Sequence, residues 1–189
     1  PFRMSRIRPR GLPAVPWLSA FPEMNVRTYV VDPRGRPGVW FYSLDASRWL
    51  AVQFARRVFR LPYHHAHMPV FRDRATGWID YHSRRHDGGV EVGFRYRGRG
   101  EEREAVPGTL EFFLVERYLL LAHDSRDDSL RGGYVAHPPY RYREAEVAAF
   151  GTAPIAAAGL PEPTGMPEHV AYVEAVDVAV HALEKKPQP

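Results

Sequence analysis

The side chains best suited to chemistry fall on two short stretches of the sequence. In NVRTYVVD, Asn25, Arg27 and Tyr29 occupy alternate positions, and in RLPYHHAHM so do Tyr63 and His65. Successive residues of a strand point to opposite faces, so each set shares one face if its stretch is extended. Two such strands turned into a common interior bring together one guanidinium, one amide, two phenols and an imidazole. That set suits a small molecule bearing an anionic or carbonyl group. Glu111, at the start of a short helix, joins these five as a ligand-binding candidate. An alternative is an enzyme acting on a keto-acid, lactone or enol substrate, with His65 as general base and Tyr63 as acid. A structural explanation also stands, in which Arg27 pairs with Glu23, Glu111 or Glu116 in a buried network.

His64, His65 and His67 raise the question of a metal. His65 and His67 are two-ligand geometry on a strand, and His82 or Asp80 on a neighbouring strand could complete the set. An HxH pair without a longer signature is weak, and the reading is no metal and no cofactor. Patterns for serine hydrolases, P-loops and dinucleotide sites are missing. Glu111 and Glu116 do not share a helix face well, so no acid–base carboxylate pair is indicated.

Of the 26 basic residues only Lys185 and Lys186 are lysines, both in a polar tail beside prolines. A Schiff-base lysine must be desolvated to be neutral near pH 7, so imine chemistry is not expected. The arginines are spread among 22 acids rather than gathered in a stripe, which argues against nucleic-acid binding. Cysteine is absent, excluding disulfides and thiolate sites, and a reducing cytoplasm is the expected compartment. No apolar run approaches the roughly 18 residues that span a bilayer, so no membrane partner is expected. With 189 residues, 44% of them apolar, one domain with a sizeable core is expected over 1–189. Oligomeric state is not readable.

The elements that must position these side chains follow from periodicity and turn residues. Phe2 to Ile7 reads as a strand, then a proline-rich loop. Asn25 to Asp32 is a strand, Asp32 to Gly38 a turn, and Val39 to Ser43 a second strand. A helix capped by Ser43 or Asp45 follows, its stripe formed by Ala46, Trp49, Leu50, Gln53, Phe54, Arg57 and Val58, and Leu61-Pro62 ends it. Tyr63 to Phe71 is the next strand. Thr76 to Arg84 and Gly89 to Arg97 form a hairpin, and Arg97 to Glu104 a solvated loop. Thr109 caps a short helix. Tyr118 to Ala122 and Gly133 to Ala136 are strands, and HPPYRY, His137 to Tyr142, is an extended segment that could dock a protein partner. Glu144 to Phe150 reads as a brief helix, 151–167 as a connection, and Glu168 to Leu183 as a last strand. The fold class is α+β, mainly β: a curved antiparallel sheet closing into a barrel or cone, with two or three short helices.

At NVRTYV, GRPGVWFYSLDA, ARRVFRLPYHHAHM and GTLEFFLVERY the chain resembles the YqjF-like family of uncharacterised bacterial proteins, domain of unknown function 2071. The resemblance covers nearly the whole chain and implies a further segment before PFRM, which agrees with a start in what reads as mid-strand. The family is in turn remotely similar to acetoacetate decarboxylase. There a strand opening FPKK supplies the Schiff-base lysine from its first lysine. By that resemblance Tyr63 of Leu61-Pro62-Tyr63-His64 stands at the imine-lysine position, His64 at its neighbour, and Asn25 near a glutamate. The likeness implies an acetoacetate-decarboxylase-like cone with a central pocket, and the substitutions remove the inherited mechanism.

Overall fold

The computed structural model describes residues 1–9, 20–181 and 183–185. The proline-rich stretch 10–19 and Lys186 lie outside them. The strands are β1 (Phe2–Pro9), β2 (Phe21–Val31), β3 (Pro37–Ala46), β4 (Tyr63–His67), β5 (Val70–Arg72), β6 (Ile79–Arg85), β7 (Glu91–Glu104), β8 (Leu119–Asp124), β9 (Ser129–Ala136), β10 (Arg141–Ala149), β11 (Ala171–Tyr172), β12 (Asp177–Val180) and β13 (Glu184–Lys185). The helices are α1 (Trp49–Val58) between β3 and β4, α2 (Leu110–Val115) between β7 and β8, and α3 (Ala153–Ala157) between β10 and β11.

The fold is mainly β, as expected, but the sheet is mixed rather than antiparallel. It runs β11-β10-β7-β6-β4-β3-β2-β1-β12-β9-β13, with β5 beside β6 and β8 joining β3 to β9. β3 is parallel to both β4 and β8, and β1 to β12. A helical crossover returns the chain in its original direction, and α1 does this between β3 and β4. The sheet as a whole is not closed end to end into a barrel, since β11 and β13 at its ends are not paired with each other among the described residues. The double pairing of β8 instead curls one end back over a core of Val39, Leu44, Ala46, Leu120 and Ala122.

Several expected elements differ. Ser43 and Asp45 do not cap α1, because the ladder holds β3 extended as far as Ala46, opposite Glu23 and His65. The helix starts at Trp49 without a side-chain cap and buries Val52 and Ala55. Trp49, Leu50, Phe54 and Val58 of the expected stripe are exposed. The charged run Arg97 to Glu104 continues β7, and Glu144 to Ala149 is strand β10 rather than helix. Their mutual pairing explains both, since opposite charges face across the ladder, as in Arg97–Glu146 and Arg99–Glu146. Pro69 separates β4 from β5. α3 lies in the expected connection, and the expected last strand is broken into β11 and β12, with β13 beyond its expected end.

Other expectations hold. Asp32 folds the turn after β2 by accepting the Arg34 and Arg36 amides, each at 2.9 Å, and pairing with the Arg36 guanidinium. Gly35 supplies the left-handed residue there, at φ 77°. Thr109 caps α2, its hydroxyl accepting from the Phe112 amide at 3.3 Å.

Candidate functional site

The register places the candidate strands on either side of β3. Asn25 lies opposite Leu44, and Leu44 opposite Tyr63; Glu23 lies opposite Ala46, and Ala46 opposite His65. Side chains that oppose one another in register share a face, so Glu23, Asn25, Tyr63 and His65 do so here. Leu44 and Ala46 form its buried floor.

On this face Tyr63 leans one pair along, and its hydroxyl donates to Glu23 Oε2 at 2.7 Å. Both residues are buried, Glu23 at 3% and Tyr63 at 7% exposure. Burial pushes the Glu23 carboxyl up to about 7, against the opposing hydrogen bonds from Tyr63 and Asn25 and the charges of the Pro1 amino group and Arg27. Burial and the adjacent Glu23 charge hold the Tyr63 phenol well above its ordinary value. At neutral pH the pair thus exchanges one proton at the carboxyl while the phenol remains a donor.

Arg27 and Tyr29 continue the face toward α2. The Tyr29 hydroxyl donates to the Leu114 carbonyl at 2.9 Å, and Arg27 Nη2 donates to the same oxygen at 3.2 Å. The Tyr29 ring packs against Phe113 with centroids 4.8 Å apart. Arg27 is exposed and takes no carboxylate among the described residues, so the buried Arg27–Glu network is not formed. Glu111 is turned elsewhere: its carboxyl is lowered chiefly by its own backbone amide, and Thr109, His169 and Arg103 act in the same direction.

His65 shares the face but not the contact. Its ring stacks on His86 at 4.2 Å, and burial followed by the His86 charge lowers its pKa. The structure thus brings Asn25, Arg27 and Tyr63 to Glu23, sets Tyr29 with Arg27 at the Leu114 carbonyl, and leaves His65 and Glu111 out of these contacts. Glu23 entered the sequence reading only as a partner for Arg27. Alternation extended two residues back from Asn25 would have placed it on the same face, but Pro22 made that extension look like a break.

Among the described residues no three His, Asp or Glu side chains are arranged to hold a metal ion. His67 and His82 line a surface hollow of about 200 Å³ with Glu91 and Arg84. A second hollow, of about 320 Å³, lies between Ala136–Pro138 and Asp177–Ala179. Neither is lined by Glu23 or Tyr63.

Residues 1–177 match the family model of DUF2071, described as an uncharacterized conserved protein. The chain belongs to the DUF2071 family. It is 38% identical over 148 residues to the uncharacterized protein YqjF of Bacillus subtilis, a match covering 77% of this chain and 59% of that protein. The chain therefore spans about three fifths of that relative's length. Among solved structures it is similar to acetoacetate decarboxylase from Legionella pneumophila, with a TM-score of 0.57 and 11% identity over 89% of this chain and 68% of that one. At that identity the likeness concerns the fold.

Proposed function

We propose that this chain binds a small carbonyl-bearing or anionic molecule on the face formed by Glu23, Asn25, Arg27, Tyr29 and Tyr63, in the cytoplasm and without a Schiff-base lysine. The observation that carries this reading is the Glu23–Tyr63 pair. A buried carboxyl that has a phenol and an amide for partners, and no guanidinium bonded to it among the described residues, costs folding energy above neutral pH. Such a group is retained where its proton or its hydrogen bonds serve a ligand. The similarity in fold to an enzyme named for a keto acid supports a carbonyl-bearing ligand.

A panel of small keto acids and lactones tested by thermal unfolding checks the proposal. A ligand at about 100 times its Kd adds roughly 2.7 kcal/mol of stability, a readable shift. Arg27→Ala and Tyr63→Phe should abolish that shift. If both variants keep the wild-type shift with every hit, the assignment is wrong.

The value of about 7 at Glu23 also favours a second reading, proton transfer on an enolisable substrate. Glu23 then replaces His65 as the base, because His65 is engaged with His86. Turnover across the same panel should follow a single ionisation near pH 7 and vanish in Glu23→Gln. Docking through HPPYRY is less supported: Pro138 is exposed, but the Tyr140 amide is held by Glu116 at 2.8 Å.

A further inference from the structure

Many of the arginines have a carboxylate partner: Arg36 takes Asp32, Arg85 takes Asp45, Arg95 takes Asp80, and Arg97 and Arg99 share Glu146. Arg27 on β2 and Arg117, which follows α2, have none among the described residues. Arg27 and Arg117 each hold their guanidinium carbon near the Tyr29 ring, 5.7 Å and 5.5 Å from its centroid. Their polar contacts are neutral ones. Arg27 Nη2 reaches the Leu114 carbonyl at 3.2 Å and the Tyr29 hydroxyl at 3.5 Å, and Arg117 Nη1 reaches the Glu116 carbonyl at 2.9 Å. Arg117 Nε is buried with no hydrogen-bond partner.

The acids next to them in sequence are turned away. The buried Glu116 carboxylate accepts from the Tyr118 hydroxyl and, at 2.8 Å, from the Tyr140 amide, while Glu111 faces Thr109. The simplest alternative is that both arginines cap the carbonyls at the end of α2. The Tyr29 hydroxyl already satisfies the Leu114 carbonyl at 2.9 Å, and neutral carbonyls give neither guanidinium a carboxylate contact. A guanidinium fork with free donors is complementary to carboxylate or phosphate oxygens.

We infer that Arg27 and Arg117, both beside the Tyr29 ring, form a binding subsite for a doubly charged anion, so that the ligand of this face is a dianion. The inference rests on the reading that the Glu23–Tyr63 face takes a ligand, and it adds charge to that ligand's description. The dianionic end sits beneath α2, with Arg27 between it and the Glu23 carboxyl.

The test is calorimetric titration at pH 8 and constant ionic strength with malonate, inorganic phosphate and acetate. Malonate or phosphate should bind at least about tenfold more tightly than acetate, as a second charge-assisted fork contact requires. Malonate alone gaining that advantage identifies a dicarboxylate, and phosphate alone a phosphoryl group. Arg117→Gln should erase the dianion advantage and leave acetate unchanged, Arg117→Lys should keep part of it, and Arg27→Gln should weaken all three. Equal binding of all three anions, or a dianion advantage that survives Arg117→Gln, overturns the inference. Acetate binding that depends on Arg27 would then leave the earlier reading standing. Absence of binding by all three overturns the dianion subsite, and the keto-acid panel decides the earlier reading separately.

Discussion

β3 separates two buried carboxylates that the fold treats in opposite ways. On one face, Glu23 is hydrogen-bonded by the Tyr63 phenol and Asn25. On the other, Asp45 lies opposite Met24 and His64 in register, and Arg85 Nε donates to its Oδ1 at 2.8 Å. Ser83 adds a hydroxyl at 3.4 Å to the second oxygen. Asp45 and Arg85 are 1% and 6% exposed, beside a core of Met24, Ala66, Met68, Tyr81 and Val92. Both acids are equally dry, yet among the described residues only Asp45 is bonded to a guanidinium. Burial alone therefore does not decide what an acid does in the fold; the group bonded to it does. The Asp45–Arg85 pair is a structural brace, whereas Glu23 keeps a proton available near neutral pH.

The largest effect should come from breaking the brace. Arg85→Met leaves Asp45 buried without a cation, a loss of about 3–5 kcal/mol for a desolvated pair cut on one side. Urea unfolding at pH 7 measures it. Adding Asp45→Leu to that variant should recover most of the loss, since two apolar groups of similar volume replace the pair. A single-variant loss below about 1 kcal/mol would mean that Asp45 is reached by water and that the contrast with Glu23 is false.

Glu23→Gln probes the other face and has the opposite sign. The folded carboxyl titrates at about 7 and the unfolded one at 4.5, so between those values the folded state holds a proton that the unfolded state has lost. Stability therefore falls as pH rises through that window and is level on either side of it. Over the whole interval the wild type loses about 3 kcal/mol that Glu23→Gln does not lose. The variant should match the wild type at pH 4 and exceed it at pH 8, by urea unfolding at both. Equal slopes for the two proteins would place the Glu23 carboxyl in water.

How much of this was legible depended on whether the deciding interaction was local. Alternation along NVRTYVV placed Asn25, Arg27 and Tyr29 on one face correctly, because a strand's side-chain period is set by its own backbone. The Asp32 turn and the Thr109 cap were legible for the same reason: each side chain bonds amides within four residues of itself. What failed was set by distant partners. Arg97 to Glu104 reads as a solvated run until β10 places Glu146 and Arg141 beside it. Asp45 reads as a helix cap until Arg85, forty residues on, claims it. Glu23 went unrecognised because its partner is Tyr63, a pairing that depends on β4 lying parallel to β3 after the α1 crossover. His65, by contrast, obeys its expected parity and is drawn aside by His86, which no periodicity could show.

The smallest effects are the most discriminating, because Tyr63 and His64 are adjacent in sequence and belong to opposite faces. Tyr63→Phe removes the phenol that opposes burial at Glu23, so the Glu23 carboxyl should rise further above about 7, with about 1 kcal/mol lost from the missing hydrogen bond. His64 lies on the Asp45 side, lowered by burial and next by the Arg85 charge. Arg85→Met should therefore move His64 up toward its ordinary value, and Tyr63→Phe should leave it in place. Carboxyl and imidazole titrations by NMR in both variants give four readings, of which two should move and two should not. If Tyr63→Phe shifts His64 as much as it shifts Glu23, the two faces are electrostatically one compartment. The phenol would then be part of the same structural network as the Asp45–Arg85 brace, and the grounds for assigning a ligand to the Glu23 side would be gone.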